Sequence, residues 1–213
     1  QLAFASTREG GAADIWIATI GGTESPRRIA SYSRTLTPQD WSPDGELIVA
    51  EAHGGGSLSD LVLISLADGE VSPFISTGFA ESAGAISPDG RWLAYRSTET
   101  DRDEVFVTSF PTPGRKRQVS QNGGSFPVWS NDGRELFYRD DRGLYVVEID
   151  GSGPNLEVGS TSFLFELPLR FSSGRQYDVT PDGQRFLVSA PFGKTDDSPV
   201  TLVQNWVADL PAP

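Results

Sequence analysis

Trp41-Ser-Pro-Asp-Gly-Glu-Leu-Ile-Val-Ala50 carries the fold, because the chain repeats its pattern three more times. The other copies are Ile86-Ser-Pro-Asp-Gly-Arg-Trp-Leu-Ala-Tyr95, Trp129-Ser-Asn-Asp-Gly-Arg-Glu-Leu-Phe-Tyr138 and Val179-Thr-Pro-Asp-Gly-Gln-Arg-Phe-Leu-Val188. Their hydroxyl residues Ser42, Ser87, Ser130 and Thr180 stand 45, 43 and 50 residues apart. That is the period of a four-stranded propeller blade, about 40–50 residues.

Turn chemistry gives the repeat its meaning. Pro43, Pro88 and Pro181 fix φ for the first corner of a turn, and Asn131 substitutes for them in the third copy. Asp44, Asp89, Asp132 and Asp182 suit the second corner and bond nearby amides. Gly45, Gly90, Gly133 and Gly183 supply the positive φ that returns the chain to a strand. Each copy therefore predicts a tight hairpin. The apolar runs that follow (Leu47–Ala50, Trp92–Tyr95, Leu136–Tyr138 and Phe186–Val188) are continuous rather than alternating, as in strands buried on both faces.

Third strands are expected at Leu61–Leu66, Val105–Phe110 and Leu144–Ile149. More polar fourth strands are expected near Val71–Ile75, Arg117–Ser120 and Ser162–Glu166. At the start, Leu2–Ser6, Ile15–Ile20 and Arg27–Ala30 match the second, third and fourth strands of a blade. At the end, Val200–Trp206 matches a third strand. The expected fold is an all-β propeller of four-stranded antiparallel blades, about five in number, with the first and last incomplete. The whole of 1–213 is read as a single propeller segment with blade breaks near 35, 80, 123 and 172, and Gly151–Gly159 as an extended blade loop. The chain has no Met and opens on Gln1, so it is read as a trimmed piece. Its first blade lacks an inner strand and its last an outer one, so the ends do not complement each other and an open arc, or an edge covered by a neighbouring molecule, is expected.

Composition narrows the function. At 37% hydrophobic residues the chain can build a core, and no apolar run approaches the length of a membrane span. Seventeen Lys and Arg against 29 Asp and Glu give a net charge of −12. A surface so acidic disfavours nucleic acid and anionic membranes as partners. The absence of Cys excludes disulfides and cysteine nucleophiles, and the single histidine, His53, excludes multi-histidine metal sites. No cofactor is called for.

The four spaced turns resemble the TolB-type Pro-Asp propeller repeat, a relative of the Trp-Asp repeats, over nearly the whole chain. The tail, Gln176–Val188 followed by Val200–Trp206, resembles the C-terminal end of propellers in bacterial multidomain proteins, where the propeller follows a serine/threonine kinase domain or a winged-helix regulator. The resemblance implies a periplasmic or otherwise extracytoplasmic interaction module. A protein or peptide partner is expected, or else a small ligand. No kinase signature stands in this piece, so kinase activity is not assigned to it, and with no Cys, one His and no recognisable nucleophile–base pair this chain alone is read as non-enzymatic. The alternative is the gating propeller of a hydrolase such as a serine peptidase whose catalytic domain lies elsewhere, and purely structural spacing is a third reading.

Several motifs test that view. His53-Gly54-Gly55-Gly56 imitates an esterase oxyanion loop, but no Gly-x-Ser-x-Gly elbow accompanies it, and it is read as a flexible turn. Asp101/Asp103/Glu104, Asp140/Asp141 and Asp196/Asp197 could serve calcium or glycoside chemistry. None has a dedicated calcium-loop spacing, and all are read as solvated loop charges. Arg27/Arg28 and Arg115/Lys116/Arg117 are assigned to outermost strands, where charge discourages edge pairing. Trp16, Trp41, Trp92, Trp129 and Trp206 are expected between blades. No catalytic or metal-binding residue is assigned.

Overall fold

The computed structural model describes residues 1–54, 57–167, 174–189 and 201–204. Among them there is no helix. Five antiparallel sheets follow one another along the chain. The first has three strands: β1 (Leu2–Ser6), β2 (Asp14–Ala18) and β3 (Arg27–Ala30). The next joins β4 (Thr35–Trp41), β5 (Leu47–Gly54), β6 (Ser57–Ser65) and β7 (Val71–Ile75). The third joins β8 (Glu81–Ile86), β9 (Trp92–Ser97), β10 (Glu104–Ser109) and β11 (Arg117–Gln118), and the fourth β12 (Ser125–Trp129), β13 (Glu135–Arg139), β14 (Gly143–Asp150) and β15 (Glu157–Glu166). The last contains β16 (Tyr177–Val179), β17 (Arg185–Val188) and β18 (Thr201–Gln204). Each is a meander, and together they are the blades of a β-propeller. Among the described residues β1 pairs with β2 and β18 with β17, in different sheets.

The continuous apolar runs follow from this stacking. Side chains alternate across a strand, so a strand between two sheets needs apolar residues on both faces. Ile48 and Ala50 of β5 pack with Ile15 and Ile17 of the first sheet, whereas Val49 packs with Leu93 and Tyr95 of the third. Trp92 and Ala94 face the other way, onto Leu136 and Tyr138. Phe137 then meets Phe186, with ring centroids 5.4 Å apart in an edge-to-face arrangement. Four hydrophobic layers thus separate five sheets.

Hydrogen bonds stitch neighbouring blades together. The Leu36 amide donates to the Ala13 carbonyl at 2.9 Å, and the Ile86 amide to the Asp40 carboxylate at 2.7 Å. The Trp129 indole donates to the Ala85 carbonyl at 3.0 Å, and the Tyr177 hydroxyl to the Phe126 carbonyl at 2.6 Å. Every seam therefore has a directional bond beside its apolar layer.

The turns share one bonding scheme. Gly45, Gly90, Gly133 and Gly183 take φ of 76°, 70°, 71° and 69°. The Ser42 hydroxyl donates to Asp44 at 2.5 Å and accepts from the Leu47 amide at 2.9 Å. Asp44 also accepts from the Glu46 amide at 3.0 Å. Ser87–Asp89, Ser130–Asp132 and Thr180–Asp182 repeat these contacts. Successive turns also stack, since a Cβ on Gly90 would lie 3.6 Å from Pro43 Cδ and one on Gly133 3.7 Å from Pro88 Cδ.

Two expectations of local structure are corrected. Gly151–Gly159 is not a loop throughout, because β15 begins at Glu157 and pairs with Asp150 at the far end of β14. The hairpin of β14 and β15 accommodates its extra length with register shifts. Glu104 is not a solvated loop charge. It is 1% exposed on β10, where it accepts bonds from the Ser120 hydroxyl and the Gly123 amide.

Candidate functional site

Three inner strands, β4, β8 and β12, carry an irregularity at one level. β4 shifts register between Pro38 and Asp40, β8 between Ser82 and Ala85, and β12 between Ser125 and Val128. Counted back from the turn hydroxyl, Pro38, Ala83 and Phe126 occupy the same position. Ala83 and Phe126 both take a φ of 54°, a left-handed conformation costly for side chains with a Cβ. The bulges lie toward the end of the inner strands opposite the turns. A cavity of about 600 Å³ opens there, within the range of small-ligand sites.

Three groups of residues form its walls. Thr37, Gln39 and Asp40 come from β4, with Glu51 and His53 beside them on β5. Ser82–Ala85 of β8 and Arg96 of β9 form the second wall. Phe126 and Pro127 of β12, with Gly174 and Arg175 ahead of β16, form the third. The blades meet at this cavity in matching register but with unlike chemistry. Thr37, Ser82, Ser125 and Arg175 are equivalent positions, as are Glu51, Arg96, Arg139 and Ser189.

Asp40 accepts the amides of Ile86 and of Trp41, the latter at 2.8 Å. Burial nonetheless pushes its carboxyl above the ordinary carboxylate value, against the pull of those bonds and of Arg175. Burial also raises Glu51, opposed by His53, Arg96 and a bond from Ser59. The His53 Nε2 lies 3.0 Å from the Thr37 hydroxyl. Thr35 is the direct cross-strand partner of His53, so Thr37 meets it as a diagonal neighbour. Arg96 donates to Ser82 at 3.1 Å and pairs with Asp103 at 2.7 Å, while its Nε is buried with no hydrogen-bond partner. Arg139 stacks 4.8 Å over the Phe126 ring, and its Nε is likewise buried without a partner. Burial lowers its pKa. Arg175 is half-exposed and 3.8 Å from Asp178.

His53 is therefore not in a loop. It ends a β5 that is longer than its apolar run, and it faces the cavity. Gly55 and Gly56 of the apparent oxyanion motif lie outside the described residues, as do Asp196, Asp197 and Trp206. Among the described residues the two acidic clusters flank Tyr138 and Arg139, which feel Glu104 with Asp140 and Asp103 with Asp141, but their carboxylates are engaged separately. Asp103 is tied to Arg96, and Asp140 closes a turn by accepting the amides of Arg142 and Gly143. Among the described residues no group of three or more His, Asp or Glu is arranged to hold a metal ion. Arg27 and Arg28 lie on β3, and Arg117 on β11, the outer strands of their sheets, while Arg115 and Lys116 precede β11. Trp16, Trp92 and Trp129 are buried and Trp41 is half-buried. Glu51, Arg96 and Arg175 did not stand out in the sequence. Their signal is positional: Glu51 and Arg96 each follow the turn glycine by six residues, and Arg175 precedes the turn hydroxyl by five.

No protein-family model matches the chain. Its structure is similar to that of TolB from Acinetobacter baumannii, with a TM-score of 0.68 and 18% identity over 95% of this chain and 48% of that one. It is also similar to a puromycin hydrolase, with a TM-score of 0.59 and 17% identity over 83% of this chain and 32% of the hydrolase. Among curated proteins it is 29% identical over 139 residues to an uncharacterized peptidase, YuxL, of Bacillus subtilis (strain 168), over 49% of this chain and 21% of the peptidase. The chain thus spans less than half of each relative, and what it shares with the solved structures is the propeller fold.

Proposed function

We propose that this chain is a non-catalytic binding module whose cavity receives a peptide or a ligand of similar size, within a larger extracytoplasmic bacterial protein. The observation that carries this reading is the cavity itself. Its walls come from four blades, and its polar residues differ from blade to blade although the backbone repeats. A repeat protein that keeps its scaffold uniform and varies one rim is suited to recognition. The shared fold with TolB and the Cys-free composition support the extracytoplasmic placement. The kinase or winged-helix context suggested by the tail remains an expectation from sequence, and no relative described above adds to it.

A second reading, the propeller part of a hydrolase, is favoured by the Thr37–His53 contact with Glu51 on the same strand face and by the two hydrolase relatives. Against it, a diagonal cross-strand bond needs no catalytic explanation, and Ser82 is engaged by Arg96 rather than by the imidazole. Peptides selected on the immobilised chain from a random library distinguish the readings. Binding measured by fluorescence anisotropy is expected to vanish in Gln39→Trp, which fills the cavity, while aryl esters and aminoacyl anilides are not turned over. Turnover abolished by both His53→Ala and Thr37→Val would establish the hydrolase reading instead.

A further inference from the structure

The charge around the cavity differs from that of the molecule. The chain carries 12 more acidic than basic residues, yet among the described residues the cavity walls hold two carboxylates, Asp40 and Glu51, and two guanidiniums, Arg96 and Arg175. The two signs come from different blades, and each carboxylate lies in the field of one guanidinium, Asp40 of Arg175 and Glu51 of Arg96. Both carboxylates stand on the β4–β5 hairpin of one blade, whereas Arg96 and Arg175 come from β9 and from the approach to β16. Arg139 adds a third positive charge behind the Phe126 ring.

Among the described residues the basic side keeps unused donors. Among the described residues Arg175 makes one ion pair, the 3.8 Å contact with an exposed Asp178, and acts on Asp40 at longer range, with its side chain 48% exposed. Arg96 keeps a buried Nε without a partner after serving Ser82 and Asp103. On the acidic side, Glu51 keeps acceptor capacity for a cation or an amide.

We infer that the cavity binds a short dipolar peptide by its two ends, the carboxylate on the Arg175 and Arg96 side and the amino group on the Glu51 and Asp40 side. This inference rests on the binding-module reading and specifies its ligand. Planar guanidiniums suit a carboxylate, with which they form paired charge-assisted bonds. A tripeptide, about 10 Å long when extended, suits a cavity of this volume. A fully acidic pocket would reject the carboxylate. A fully basic one would reject the amino group.

Random tripeptide pools in four end-group forms test this: both ends free, N-acetylated, C-amidated and both blocked. Each is passed over the immobilised chain and the retained fraction measured by mass spectrometry. The free pool is expected to be retained about tenfold better than the C-amidated pool, the effect of one charge-assisted bond. Arg175→Gln, at a half-exposed position that leaves the core untouched, should erase that difference, and Glu51→Gln should erase the penalty of N-acetylation. Retention of all four pools alike, or an amidation penalty unchanged in Arg175→Gln, overturns the dipolar ligand while leaving a binding module in place. If no pool is retained and the random library also yields no binder, both readings fall.

Discussion

At one end of the β4–β5 hairpin, Ser42, Asp44 and Gly45 close a turn whose donors and acceptors satisfy one another. At the other end, Thr37, Glu51 and His53 face a cavity. The same hairpin recurs in the next blades, and the two ends behave differently on repetition. The turn end keeps its residues, because hydroxyl, carboxylate and glycine each meet a backbone requirement that is the same in every blade. The cavity end keeps a backbone bulge in three blades and exchanges Thr37 for Ser82, Ser125 or Arg175, and Glu51 for Arg96 or Arg139. Repeated positions hold the propeller together, and unrepeated positions in the same register give it a site.

The strongest way to break that division is Gly90→Val at the turn set beside Gln39→Ala at the cavity. Gly90 has a φ of 70°, where a β-branched side chain is strained, and its added atoms would approach Pro43 of the preceding turn. Gly90→Val is expected to destabilise by about 2 kcal/mol. Gln39→Ala, at a half-buried wall position with one long bond to the Thr37 carbonyl, should change stability by less than about 0.5 kcal/mol. Urea denaturation of both variants measures this. Equal losses would mean that the cavity end is as structural as the turn.

Ser87→Ala sharpens the same contrast with a smaller effect. The Ser87 hydroxyl is buried and accepts the Trp92 amide at 3.0 Å, so its removal leaves a buried donor unsatisfied. The expected cost is about 1.5 kcal/mol. Ser87→Thr keeps the hydroxyl, as Thr180 does in the last copy, and should recover most of it. Thermal denaturation of the pair checks this, and equal losses in both would show that the hydroxyl is not what the position requires.

The turn end was legible in the sequence because its chemistry is local. Ser, Pro, Asp and Gly within four residues define their own bonds, and their recurrence at blade spacing sets strand order and stacking. The role of the hydroxyl in capping the second strand was less visible, since its partner, Leu47 or Trp92, lies five residues on. Glu104 was misread because its partners, Ser120 and Gly123, are brought to it only by the β10–β11 meander. His53 was misread for a related reason. The apolar run ends at Ala50, but Thr35, Leu36 and Thr37 of β4 continue to pair with β5 and carry it to Gly54. Burial of Glu51 and Arg96 around one cavity depends on the bulges, and no short motif encodes those. Ala83 and Phe126 adopt a positive φ that nothing in their residue type announces.

The smallest expected effect separates the two ends by the sign of their pH dependence. Bonds from the Arg134 amide and the Ser130 hydroxyl hold the Asp132 carboxyl below its ordinary value of 3.8. The folded turn therefore favours the ionised form. Its contribution is complete above about pH 3.8 and is lost as pH falls through the lower folded value. Glu51 behaves oppositely. Burial lifts its carboxyl above the ordinary 4.5, so the fold favours the neutral form, and a penalty on ionisation develops as pH rises through and beyond 4.5. Asp132→Asn keeps the acceptor but cannot ionise, so its deficit relative to the parent chain should shrink on acidification below about pH 4. Glu51→Gln should gain on the parent chain between about pH 4 and pH 7. Both effects are modest, because Asp132 is exposed and its field is screened by solvent, while Glu51 keeps His53 and Arg96 nearby. Urea midpoints across that range compare them directly. Differences that move together with pH would show that the cavity carboxylate is held in its ionised form, as the turn carboxylate is, and would remove the electrostatic distinction between the two ends of the hairpin.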